Sequence, residues 1–212
     1  MENPVIIFGA TGLGKAAQEV FNSHQIVVYC FLDDDKSKHG TEINEVSVLG
    51  KTDDDGYLKY IGKKCEAFVA VDDNKLRKSI VNLLHKKRKV QPMNAVHSGA
   101  SIAPSSEISY GNFVNDGVVI GANAKVGAHC ILHSNAVVDF GARIADFVQI
   151  GAGAVVNAEV EVEEEVFIGS GAILIAGVKI GKGARIGAGS VVIADVKAGE
   201  TVFGNPAKAF NT

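Results

Sequence analysis

Two groups of residues in this chain have types and spacings that can do chemistry. The first is the loop Gly9-Ala-Thr-Gly-Leu-Gly14, which ends an apolar run and opens a helical one, with Asp33, Asp34 and Asp35 beyond the next apolar run. Glycines let a backbone approach a pyrophosphate, a helix N-terminus offers unpaired N–H groups, and a carboxylate after the second strand can bind ribose hydroxyls. The glycine spacing is G-x-x-G-x-G, not the dinucleotide G-x-G-x-x-G, so it fits a tight ligand-free turn equally well, and the acidic triplet fits a solvated loop. The second group is His97, His129 and His133. A metal site built from them is disfavoured within one chain, because in the repeat described below His97 and His133 fall two coils apart, ~9–10 Å, against metal–nitrogen bonds of ~2 Å.

The elements that position the first group read as a nucleotide-binding half. Residues 4–9 and 26–32 are apolar, β-rich runs, residues 14–23 carry helix formers with one apolar face, and residues 67–71 form a third strand. A second helix follows, capped by Asp73 or Asp72, with Leu76, Ile80, Leu83 and Leu84 marking its buried face. Lys86, Lys87, Arg88 and Lys89 at its end suit the negative end of the helix dipole better than a binding patch. About ninety residues are too few for a complete dinucleotide domain with a separate catalytic domain, which weighs against a dehydrogenase.

From Val96 to Val192 a bulky aliphatic residue returns at every sixth position, and four residues after each comes a small or short one. A period of six is neither helix nor flat strand. It requires short strands joined by tight corners in a solenoid lined by the aliphatic residue. Three hexads make one triangular turn, giving about six coils from Val96 to Phe203. Gly121, Gly127, Gly151, Gly169, Gly181 and Gly187 fall at corners, where tight or left-handed backbone is expected. The glutamates at 159, 161, 163, 164 and 165 point outward as a solubilising face. A prism with flat sides has few grooves, so ligand sites come from packing prisms side by side, and a triangular section favours a closed homotrimer.

Composition removes other classes. With a net charge of -3, no Trp and 7 % aromatic residues, nothing marks a nucleic-acid partner. No apolar run has the length of a membrane span, no export signal is visible, and Cys30, Cys65 and Cys130 read as reduced thiols, so a cytoplasmic location with no membrane partner is expected.

Over essentially its whole length the chain resembles the hexapeptide-repeat nucleotide-sugar N-acetyltransferases, including the sialic-acid O-acetyltransferase-like proteins. The resemblance rests on GATGLG, FLDDD, VDDNKLRK, the VHSGASIAPSSEI entry to the prism, the hexads and the terminal FGNPAK. It implies a small Rossmann-like βαβαβ domain at 1–94 that holds a nucleotide-linked sugar. A left-handed parallel β-helix at 95–212 would then bind acetyl-CoA between subunits, with no metal. Carried over, the nucleotide contacts are Gly9, Thr11, Gly12, Leu13, Asp33, Asp34, Asp72, Asp73 and Asn74, with Leu13 standing where the family often has His. The acetyl-CoA contacts are Gln149, Ala158, Ser170, Ala188 and Lys208, with Ala158 supplying a backbone N–H to the thioester oxyanion. Gly177 and Gly187 keep the family's appearance.

The family's catalytic stretch reads acid-His-acid. Here it reads Asp139-Phe140-Gly141, and Gln149 replaces a second histidine. Phe140 cannot accept a proton. A missing base costs ~10²–10⁴-fold, so weakened transferase activity is implied. Asp139 keeps the first acid, and His133, where the family has Asn, is a substitute base or a structural interface histidine. Two other readings stand beside this one. One is a catalytically inactive homologue that binds a nucleotide sugar or acyl-CoA in a regulatory or scaffold role. The other, a prism-type zinc carbonic anhydrase, leaves the small domain unexplained. The resemblance implies surface-glycan sugar synthesis.

Overall fold

The computed structural model describes residues 3–210. The chain forms two compact units, Met1–Ser98 and Gly99–Thr212.

In the first unit the buried run Val5–Phe8 is strand β1, and helix α1 spans Gly12–Ser23. Strand β2 is Val28–Leu32, β3 is Glu42–Ile43, β4 is Val46–Gly50 and β5 is Glu66–Val69. Helix α2 is the short Asp55–Leu58, and α3 spans Asn74–Arg88. The sheet order is β3-β4-β2-β1-β5, with β4, β2, β1 and β5 parallel. The three expected strands and two expected helices are present. The hairpin β3–β4 and helix α2 extend the expected βαβαβ. The hairpin turns at Asn44 and Glu45, both with positive φ (43° and 67°), an arrangement that matches strand twist.

The expected buried face of α3 is rotated. Its buried residues are Arg77, Ile80, Val81 and Leu84, while Leu76 is 43 % exposed. Arg77 is fully buried because its guanidinium donates to the carbonyls of Val71 (2.6 Å) and Asp72 (3.0 Å) and to Asn74 Oδ1. It therefore ties the end of β5 to the first turn of α3. The basic run at the helix end does more than complement a dipole. Lys87 pairs with Asp55 (2.8 Å), and Arg88 donates to the carbonyls of Ile61 (2.8 Å) and Lys59 (3.2 Å).

The second unit is a parallel β-helix whose two-residue strands pair at a register of eighteen, as Val119 with Val137 and Lys125 with Arg143. Its three ladders give three faces. Face A runs from Phe113–Val114 to Arg185–Ile186 and on to Thr201–Gly204. Face B runs from Ser101–Ile102 to Val191–Val192, and face C from Glu107–Ile108 to Lys179–Ile180. The inner aliphatic ladder is buried from Val114 through Val192, as the hexads require. Ile102, in the end rung of face B, is 37 % exposed.

The corners differ from expectation in their cause. Left-handed backbone falls at every sixth residue from Gly111 to Gly189, including Asn123, His129, Asn135, Phe147, Glu159 and Glu165. The glycines singled out from the sequence lie elsewhere in the corner and have no positive φ. They are there because the next coil passes too close for a side chain. A Cβ on Gly121 would come within 2.7 Å of the Phe140 nitrogen, and one on Gly151 within 2.8 Å of the Gly169 carbonyl carbon.

The glutamates also do more than solubilise. Glu161 lies between Lys179 (3.1 Å) and Arg143 (3.8 Å), and Glu164 pairs with Lys182 (2.6 Å). No described helix is long and apolar enough to cross a membrane. The three cysteines are free and buried, and burial, with the nearby Cys65, pushes the Cys30 thiol up to about 12.

Candidate functional site

The N-terminal unit has a cleft at the carboxyl ends of β1, β2 and β4, where ligands bind in open parallel sheets. Two cavities of about 280 and 690 Å³ adjoin there and share Asp34, Thr52, Leu76 and Ile80. Gly9, at φ 109°, follows β1 so closely against the Ala70 carbonyl that no side chain fits. Thr11 caps α1, accepting from the Gly14 amide (3.4 Å) and donating to Ala70 O (3.3 Å). Gly9, Thr11, Asp33 and Asp34 all line the smaller cavity.

The two aspartates have different roles. Asp33 is buried and already accepts from Ala10 N (2.8 Å), Asp35 N (2.9 Å) and Lys38 Nζ (3.0 Å). Burial opposes its ionisation, but the Asp35 amide, the Lys38 ammonium and the Ala10 amide outweigh it, so the carboxyl sits below its usual range. Asp33 thus fastens the glycine loop to the end of β2. Asp34 is exposed on the cleft, and its carboxylate is held by the amide and hydroxyl of Thr52 (3.0 and 2.9 Å).

Other expected contacts lie off the cleft wall. Leu13 is buried, and Gly12 faces open space. Asp73 is the cap of α3, accepting from Leu76 N (2.7 Å), and Asn74 receives Arg77. Sequence reasoning missed Thr52, the apolar pair Leu76 and Ile80, and the cations Lys36, Lys51 and Lys86 around the larger cavity. The signal lay in Val46–Gly50, an alternating strand leading straight into Lys51-Thr52.

In the β-helix the expected residues divide between two edges that flank face B. His133, Ser170 and Ala188 stand on the edge between faces A and B. Asp139, Phe140, Gly141 and Ala158 stand on the edge between faces B and C. Gln149 projects from face A, and Lys208 is exposed on the terminal hairpin. One column therefore keeps His133 and Asp139 a full face apart. Phe140 is 54 % exposed, and its amide donates to Asp139 Oδ1 (2.7 Å). The N–H of Ala158 makes no hydrogen bond among the described residues.

The rows outside the three faces differ. Face B carries Val119, Val137, Val155, Ile173 and Val191. Face C carries Glu107, Lys125, Arg143, Glu161 and Lys179. Face A is mixed, and Arg185 lies 4.7 Å over the Phe167 ring. Among the described residues no group of three His, Cys, Asp or Glu is placed to hold a metal.

Residues 4–84 match the PglD N-terminal domain, and residues 159–194 match the bacterial transferase hexapeptide with its six repeats. GDP-perosamine N-acetyltransferase from Caulobacter crescentus, solved with CoA and GDP-perosamine, is 29 % identical over 100 % of this chain and 99 % of its own, with a TM-score of 0.90. The acetyltransferase domain of PglB from Neisseria gonorrhoeae, solved with acetyl coenzyme A, is 27 % identical over 99 % of this chain and 100 % of its own, at 0.90. WeeI from Acinetobacter baumannii is 28 % identical over 98 % and 99 %, at 0.81. These likenesses span both units, and the column is the parallel β-helix that the hexads led us to expect, left-handed as the resemblance implied. Among curated proteins, none matches the chain by sequence.

Proposed function

We propose that the chain is a hexapeptide-repeat nucleotide-sugar acetyltransferase whose two parts divide the reaction. It is an acetyl-CoA-dependent acyltransferase acting on a nucleotide-linked amino sugar. Residues 1–94 hold the nucleotide sugar and residues 95–212 present the acyl donor. The observation that carries this reading is the end-to-end likeness to a sugar N-acetyltransferase solved with both CoA and its nucleotide sugar, joined to a cleft at the strand ends of the N-terminal unit.

In the cleft, Asp34 and Thr52 face the ribose, Leu76 and Ile80 flank the base, and Gly9 and Thr11 approach the diphosphate. Asp33 holds the loop rather than the ligand. Gly12, Leu13, Asp72, Asp73 and Asn74 act through the loop and cap that they build.

The acyl donor lies between copies. Face B is an apolar row with exposed Val119 and Ile173, while face C pairs each of its carboxylates with its own cations. A second copy packed on face B buries that row, and three such contacts close a ring. It also brings the edge bearing His133, Ser170 and Ala188 toward a neighbour's edge bearing Asp139, Phe140 and Ala158. Gln149 and Lys208 line the outer reach of the donor. Three free buried thiols fit a cytoplasmic setting, and surface-glycan synthesis is the pathway class.

Phe140 and Gly141 give the second reading its footing, since the expected base is replaced by an exposed apolar ring. Thermal-shift and acetyl-transfer assays with acetyl-CoA and UDP- and GDP-linked amino sugars separate the two. Stabilisation by both ligand classes with thiol release establishes the transferase. Stabilisation without turnover establishes the inactive binder.

A further inference from the structure

We propose that Glu159 is the proton acceptor of the transfer; this rests on the acetyltransferase reading above. The edge between faces B and C needs a base, and most of its side chains cannot serve. Phe140 is apolar and Gly141 has no side chain. Asp139 is turned into its own corner, accepting from Phe140 N (2.7 Å). Glu159, one coil on, is exposed, and its carboxylate has no hydrogen bond or ion pair among the described residues. Its neighbours Glu161, Glu164 and Glu165 all pair with cations.

Its position is fixed by the corner. Glu159 adopts φ 56°, and its amide donates to Phe140 O (3.2 Å). The carboxyl group then folds over Gly141, and its Cδ lies 2.7 Å from the point a Cβ there would occupy. A side chain at 141 would displace it, so the bare glycine and the free carboxylate form one arrangement. The Ala158 N–H, adjacent in sequence, has no partner among the described residues. A hydrogen-bond donor and a proton acceptor thus sit one residue apart on the edge that borders face B.

The steps balance with these two groups. The neutral sugar amine attacks the thioester carbonyl carbon, a C–N bond forms, and the carbonyl electron pair moves onto oxygen, which accepts from Ala158 N–H. The nitrogen, now cationic, gives its proton to the Glu159 carboxylate. The oxyanion collapses, the C–S bond breaks with its electron pair on sulfur, and the proton passes from Glu159 to the thiolate. The products are the N-acetyl sugar and CoASH. The amine loses its proton only after its bond has formed, and a carboxylate can accept it from the cationic nitrogen.

The test compares wild type, Glu159→Gln and Glu159→Ala with acetyl-CoA and a panel of UDP- and GDP-linked sugars bearing either an amine or only hydroxyls. We expect turnover on an amine, a kcat lowered about 10²–10⁴-fold in Glu159→Gln with KM and Tm unchanged, and partial rescue of Glu159→Ala by formate. Wild-type turnover with Glu159→Gln within about threefold of it overturns the role of Glu159 and leaves the transferase standing. Turnover on hydroxyl sugars alone overturns the step as written, in which Glu159 takes its proton from a cationic nitrogen. A wild-type protein silent on every sugar overturns both the role and the transferase reading.

Discussion

Faces B and C of the column are built by the same rule and end with opposite surfaces. Each repeats a two-residue strand every eighteen residues, and each turns one aliphatic residue inward. Outside, face C pairs Glu107 with Lys125, and Glu161 with both Arg143 and Lys179, so that each carboxylate meets a cation one coil away. Face B shows five aliphatic side chains, of which Val119 and Ile173 are exposed and the other three half-buried. The inward position is set by the fold and is alike on every face. The outward position is free of that demand and therefore records what each face meets. The N-terminal unit repeats the contrast on a smaller scale: Asp33 is filled by three donors, while Lys51 and Lys86 stand open on the cleft.

The contrast breaks most severely if a charge is placed on face B. Val155→Glu should leave a monomer in sedimentation and abolish transfer, because an unpaired carboxylate cannot be buried between copies. If the variant sediments as the wild type does and keeps full activity, face B is not the interface. The glycines at the corners sharpen the comparison between close approach and left-handed backbone. Gly151→Ala should cost about 1–3 kcal/mol in denaturant unfolding, since the Gly169 peptide lies where the methyl must go. Gly171→Ala, with a positive φ of 68° and open space around it, should cost about 1 kcal/mol.

Asp33→Asn tests the filled carboxylate. Loss of its charge-assisted bonds should destabilise the N-terminal unit by about 1.5–3 kcal/mol near neutral pH. Because the folded carboxyl sits below its usual range, its contribution is complete above the unfolded value of about 3.9 and is lost as pH falls through the lower folded value. The gap in Tm between wild type and Asp33→Asn should therefore close below pH 4, and a gap independent of pH there would refute the assignment. The smallest effect belongs to face C. Glu161→Ala removes an exposed partner of Arg143 and Lys179 and should change neither oligomeric state nor Tm measurably at physiological salt.

The legible parts of the molecule were those governed by a local period or a local cap. The hexads marked each inward residue from Val114 to Val192, and Asp73 was readable as a helix cap. Leu76 was misassigned because a helical period marks an apolar stripe but not which edge of it a cleft leaves open. Gly121 and Gly151 were marked as corner residues, but the reason for glycine was hidden, because the atom that excludes a side chain comes from eighteen or more residues away. Thr52 was missed for the same reason: its bond to Asp34 exists only once β4 has paired with β2.

By itself the sequence determined the column, its eighteen-residue turn, and the strand–loop–helix order ahead of it, since each depends on neighbours within a few positions or on a strict repeat. Tertiary structure alone decided which aspartate is filled and which faces the cleft. It also decided that the apolar row lies on one face between the two edges that carry the candidate site residues, and that the Glu159 carboxylate covers Gly141. Those facts depend on which backbone donors and side chains meet across long stretches of chain, and no periodicity encodes such meetings.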